Sequence, residues 1–238
     1  MKRFIFIILT ITFLYPLTVY GSTFDIPETD ITINIDEEVW DIFTKEDVQN
    51  EELMNDYGLD HNYMTDFFNS NHLYLDGNAN LDGENTTGLL IMKTKNENKI
   101  VDLNQLEEKE LSDAVKKFVE NKGIQNYDIY TNENSTYIFY TFCDEEICGA
   151  EYYTVVNGDD YYIAFHSPVD LSDELIKKFD SVVDGITFNY KTKIKKSNSS
   201  EKKKSNMTKK ESTIISSVTI VCFAFLVFLI LFAKKRNK

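Results

Sequence analysis

The chain has 238 residues, with 39 acidic and 25 basic side chains and a net charge of −14. The charge is segregated: Ser22 to Tyr190 holds 37 Asp and Glu against 10 Lys, a net −27. So acidic a body repels phosphate backbones, which excludes nucleic-acid binding, and it attracts cations, basic peptides and basic proteins instead.

The N-terminus opens with Met1-Lys2-Arg3, then an apolar core from Phe4 to Tyr15, then Pro16 and the small residues Gly21-Ser22. A basic start, a short apolar core and small residues at its exit are the parts of a secretory signal, expected over 1–21 with cleavage after Gly21. An uncleaved signal anchor is the alternative, and it places the following residues on the same, extracytoplasmic side. Residues 22–190 have the length of one domain with its own hydrophobic core.

Ile31 to Ile35 alternates apolar and polar residues, as a strand with one buried face does. Val39 to Phe43 reads as a second short strand. Thr44, with Asp47 three residues on, marks a helix start. Leu59 to Phe68 reads as a second helix, with Leu59, Tyr63 and Phe67 at helical spacing. Leu73 to Leu75 and Leu89 to Met92 read as strands joined by a loop from Gly77 to Thr87. Glu107 to Asn121 sets Leu111, Val115, Phe118 and Val119 on one helix face and stops at Lys122-Gly123.

Three strands are expected next: Tyr137 to Cys143, Ala150 to Val156 and Tyr161 to His166. Asn157-Gly158 between the last two is a strong hairpin signal. Ser172 caps a helix that runs through Val183 and stops at Gly185. Ile186 to Phe188 closes the domain as a strand. The mixed order, with an antiparallel meander at its centre, implies an α+β fold whose helices cover a sheet.

The opening ITINIDEEVWDIFTKE, the stretch NHLYLDGN, the hairpin YYTVVNGDDYYIAFHS and the terminal VVDGITF together resemble PsbP-like domains, among them extracytoplasmic proteins of clostridia and their relatives. The resemblance covers most of 24–190 and lies in strand cores and turns, with no catalytic motif. It implies an α/β/α sandwich around a central antiparallel sheet and a role in binding protein partners. It carries over no functional residue.

Cys143 and Cys148 are the most specific local feature. Flanking Asp144-Glu145-Glu146-Ile147 between two strands, they face each other across a hairpin at a separation that fits a disulfide. Free thiols and a redox or metal role are the alternatives. Asp76 to Gly83 carries oxygen ligands at alternate positions, as a Ca²⁺ loop does, but Leu81 and Thr87 stand where such a loop needs Gly and Glu. It reads as a polar hairpin loop. His61, His72 and His166 are too scattered for a zinc site. Asp144, Glu145 and Glu146 read as solvated turn residues, and Trp40 with the Tyr and Phe set as core. No catalytic residue, metal ligand or cofactor is expected.

Lys191 to Ser212 carries nine Lys and two Glu among Ser and Asn without apolar periodicity, and reads as a disordered stalk. Ile214 to Ala233 is an uncharged run of 20 residues, and 213–233 is expected as a transmembrane helix about 30 Å long. Cys222 lies within it as a small apolar residue. Lys234, Lys235, Arg236 and Lys238 form a basic cytoplasmic tail over 234–238. The stalk lysines blur the charge bias across this helix, so the signal sequence decides orientation. The expectation is a single-pass cell-membrane protein with an extracellular N-terminal domain. Its expected partners are the membrane and a cell-envelope protein, for which the acidic charge favours a basic one. It is read as a binding or assembly module rather than an enzyme, with a receptor for a small molecule or cation and an enzyme of unrecognised site as alternatives.

Overall fold

The structure, a computed structural model, describes residues 21–191 except Asp82, Glu84, Glu145 and Glu146. Most of the expected signal segment, the stalk beyond Lys191, the transmembrane helix and the basic tail lie outside the described residues. Among the described residues no helix is long and apolar enough to cross a membrane.

The described part is α+β. Ten strands form two antiparallel sheets. The smaller has the order β1 (Ser22–Asp25), β2 (Ile31–Ile35), β10 (Ile186–Phe188). The larger has seven strands in the order β3-β4-β5-β9-β8-β7-β6. These are β3 (Trp40–Thr44), β4 (Leu73–Ala79), β5 (Thr87–Lys95), β6 (Tyr127–Thr131), β7 (Thr136–Cys143), β8 (Cys148–Val156) and β9 (Asp159–Ser167). Four helices complete the domain: α1 (Glu51–Asp56), α2 (His61–Ser70), α3 (Glu108–Lys122) and α4 (Asp173–Asp184).

Local chemistry accounts for the boundaries. Asn157 (φ 54°) and Gly158 (φ 81°) both adopt positive φ, as the two-residue turn between β8 and β9 demands. The Ser172 hydroxyl accepts from the Leu175 N–H at 3.1 Å and starts α4. Glu107 and Glu110 form a capping box at the head of α3, and Gly123, in the left-handed region, ends it. The Thr44 signal is used differently from the expectation. The Asp47 carboxylate accepts from both the Thr44 N–H (2.8 Å) and its hydroxyl (2.7 Å), which closes a 3₁₀ turn over Asp47–Gln49. The helix waits for Asn50, whose side chain caps α1.

Because side chains alternate across a strand, the large sheet has two distinct faces. One carries Trp40, Leu75, Leu89, Ile91, Tyr137, Tyr152, Ile163 and Phe165, which pack with Ile31, Ile33 and Ile35 of the small sheet and Leu175, Phe179 and Val183 of α4. The other is covered in two separate patches. Met54, Met64 and Phe68 of α1 and α2 lie over Leu73, Leu90 and Ala164. Val115 and Val119 of α3 lie over Ile138, Tyr153 and Val155. Helices thus cover one face, and a three-stranded sheet with one helix covers the other.

Three elements depart from the sequence expectations. The central meander has four strands, not three, because β6 precedes it. A strand, β1, stands ahead of Ile31. The loop expected from Gly77 to Thr87 is shorter: Gly77, Asn78 and Ala79 extend β4, and Thr87 begins β5. Gly77 fits here because a Cβ would sit 3.3 Å from the Trp40 ring.

Candidate functional site

The face under the helices carries Asp76, Glu151 and His166 buried within its strands. The register aligns them in two neighbouring rows. One row runs Phe43, Asp76, Leu90, Ala164, Glu151, Tyr140 across six strands. The next runs Asn78, Gly88, His166, Gly149, Phe142. Gly88, Ala164 and Gly149 leave little side-chain volume between the polar members. Phe142 leans across Gly149, where a Cβ would meet its ring at 2.3 Å, and makes an edge contact with the His166 ring at 5.8 Å.

Asp76 is 2% exposed. Burial beside the apolar patch of α1 and α2 pushes its pKa up to about 7, because removal from water disfavours the charged form. This corrects the reading of Asp76 to Gly83 as a polar hairpin loop: Asp76 lies inside β4, facing the core. Glu151 is equally enclosed, and the Tyr140 hydroxyl donates to its carboxylate. Burial raises the Glu151 pKa, opposed by the Tyr140 hydrogen bond and by the charge of Lys122. Burial and the neighbouring Glu151 charge push the Tyr140 hydroxyl well above its ordinary range. Burial also pulls His166 down to about 4, so the ring is neutral at physiological pH. Near pH 7 the His166 ring and the Tyr140 hydroxyl are uncharged, and Asp76 stands near the midpoint of its titration, suited to exchanging a proton.

The sequence-stated cysteines come together as read. Cys143 and Cys148 are direct partners across β7 and β8, with the sulfurs 2.04 Å apart. Asp170 lies beside them, 3.8 Å from the Cys148 sulfur. Sulfurs joined to each other lack the thiolate that a metal requires. A bridge closing so short a loop contributes about 2 kcal/mol. The three histidines are dispersed: His61 begins α2, His72 follows α2 in the left-handed region and His166 is buried in β9. Trp40 is core, 4% exposed.

A second feature escaped the sequence reading. β6 is the outer strand of the large sheet, and Tyr127 (47%) and Ile129 (41%) stand exposed along it. The signal was present: Tyr-Asp-Ile-Tyr-Thr alternates with period two and is rich in strand-favouring residues. Carboxylates border it. Asp184 accepts from the Tyr130 hydroxyl and Asp180 from the Tyr152 hydroxyl, each at 2.7 Å. Compared with known proteins, the chain matches no protein-family model and no curated protein.

Proposed function

We propose that this chain is a membrane-anchored extracytoplasmic binding or assembly module, non-catalytic, that engages a basic protein partner in a cell-envelope complex. The domain is read as a PsbP-like α/β/α sandwich, exported by 1–21 and held by 213–233. The observation that carries the reading is uncompensated charge. Between Ser22 and Tyr190, 10 lysines face 37 carboxylates. Several of those lysines are already engaged, Lys93 and Lys95 both on Asp159, Lys45 on Glu28 and Lys116 on Glu120. Most of the acidity therefore faces solvent, where it steers basic surfaces toward the domain.

The test is crosslinking of the tagged full-length protein in its own cells, followed by capture and mass spectrometry. A stoichiometric partner with a basic surface, lost when 22–190 is deleted and weakened by salt, supports the reading. Recovery of the same proteins with the stalk and anchor alone overturns it.

A second reading, a receptor for a small amine or metal cation, draws on Asp76, a carboxyl buried within β4. A ligand that supplies the missing charge would raise the melting temperature above pH 7, where Asp76 is ionised, and do so less at pH 5.

A further inference from the structure

An outer strand presents unpaired backbone groups, and proteins ordinarily blunt such edges with lysine, proline, bulges or a covering segment. β6 has none of the first three. Its sequence holds no Lys, Pro or Gly, and its register with β7 runs unbroken from Tyr127↔Tyr140 to Thr131↔Thr136. The opposite edge differs: β3 passes directly into the Asp47–Gln49 turn, which takes up the Thr44 N–H and hydroxyl.

One hydrogen bond shows how β6 is kept. The Ile129 N–H donates to the side chain of Asp128 at 2.8 Å rather than to β7. In an antiparallel pair, alternate residues turn their N–H and C=O away from the partner. Tyr127, Ile129 and Thr131 are then the residues whose backbone faces outward, and Asp128 covers the central donor with its own carboxylate. The exposed Tyr127 and Ile129 side chains share one face of this edge, two residues apart.

Charge selects among the chains that might pair there. Asp128 on the strand, Glu133 in the following turn and Asp184 beside Tyr130 make the edge acidic. A second copy would bring the same carboxylates against them, on a body of net −27, and like charges directly opposite on paired strands are destabilising. A strand carrying lysine or arginine meets the opposite sign.

We propose that β6 accepts an extended segment of a partner protein, alternating basic and apolar residues, as an eighth strand of the large sheet. Its apolar side chains cover Tyr127 and Ile129. Its carbonyl oxygen replaces Asp128 on the Ile129 N–H, and the released Asp128 carboxylate pairs with a lysine or arginine of the incoming strand. This assignment rests on the reading of the domain as a binder of basic proteins and gives that reading a place and a geometry.

The probe is a nine-residue peptide alternating Lys and Val, capped at both ends. The control has equal charge, with Pro in place of each Val, so that it cannot pair along a strand. Both are titrated against the purified full-length chain, and hydrogen exchange of the β6 amides is followed. The expected result is binding about tenfold tighter than the control, the worth of one or two net hydrogen bonds, with slowed exchange at Tyr127 and Ile129. Asp128→Lys should weaken the Lys-Val peptide by about tenfold or more. Ile129→Pro should do the same, since it removes an outward donor that β7 does not use. Circular dichroism checks that both variants stay folded. Equal binding of both peptides, with β6 exchange unchanged, overturns strand addition and leaves a basic-partner surface elsewhere. Protection of β6 in the free chain that the peptide cannot displace overturns the partner assignment in favour of a segment of the chain itself or a second copy. Failure of both peptides to bind at low salt overturns this proposal and the function it rests on together.

Discussion

The two faces of the seven-stranded sheet are built to opposite rules. Toward the small sheet and α4, side chain after side chain is aliphatic or aromatic, and the rings interlock: Phe165 stacks on Phe179 at 4.4 Å, and Tyr152 meets Phe165 edge-on at 6.0 Å. Two of its buried tyrosines bond through their hydroxyls: Tyr152 reaches Asp180, and Tyr161 takes the Asp30 N–H. Toward the helices, Asp76, Glu151 and His166 sit between apolar patches that do not merge. A face assembled only for stability would hold an apolar side chain where Asp76 stands at 2% exposure. The contrast teaches that stability resides on the first face, while the second gives up stability to keep titratable groups in place.

The sharpest way to break this contrast is to cut into the first face. Phe179→Ala removes a fully buried ring from α4 and the stack on Phe165. The expected loss is about 4 kcal/mol of unfolding free energy by denaturant titration. A loss under about 1 kcal/mol would mean that the face collapses readily around the hole, and the division of roles would fall.

On the second face, substitution should stabilise, and pH decides when. The folded domain holds the Asp76 proton up to about 7, whereas the unfolded chain releases it near 3.8. The stabilising contribution of the neutral carboxyl is therefore complete below 3.8, declines as pH rises through that interval and is gone above 7. Across the interval the wild type loses about 4 kcal/mol relative to a variant that cannot ionise, at 1.36 kcal/mol per pH unit. Asp76→Asn should therefore gain on the wild type steadily between pH 4 and pH 7 and hold that gain at pH 8. Stability curves that run parallel across this range would show that Asp76 ionises freely and is not sealed under α1 and α2.

Much of the first face was legible in the sequence. Ile31 to Ile35 alternates cleanly, the strands between Tyr137 and His166 are crowded with strand-favouring Tyr and Phe, the Asn157-Gly158 turn sets the register of β8 and β9, and Ser172 and Gly185 bracket α4. The second face was not, for a physical reason. Asp76-Gly77-Asn78 has the composition of a turn, and only pairing with Phe43, Ile42 and Asp41 on one side and with Leu90, Leu89 and Gly88 on the other holds it extended. Tertiary pairing overrode local propensity there. Glu151 left a fainter trace, a lone carboxylate within a strand otherwise free of charge. β6 was passed over although its residues favour a strand, because the run is only five residues long and holds Asp128. The cysteines were readable because the hairpin and the C-x4-C spacing point to the same pairing.

The smallest effect tests how the second face tolerates the other buried carboxyl. Glu151 differs from Asp76 in having a donor, the Tyr140 hydroxyl, and in lying near Lys122. Tyr140→Phe keeps the ring and its packing near Phe118, 6.3 Å away, while removing only the hydroxyl. The cost should be about 2 kcal/mol, because the carboxyl stays buried and loses its hydrogen bond. Glu151→Gln in the same chain should return part of that loss, since an amide carries no charge to desolvate. The double-mutant cycle then reports a coupling above about 0.5 kcal/mol, as expected for residues in contact. Additive losses would mean that Tyr140 supports the sheet through packing alone, and that Glu151 is held by something other than its nearest hydroxyl.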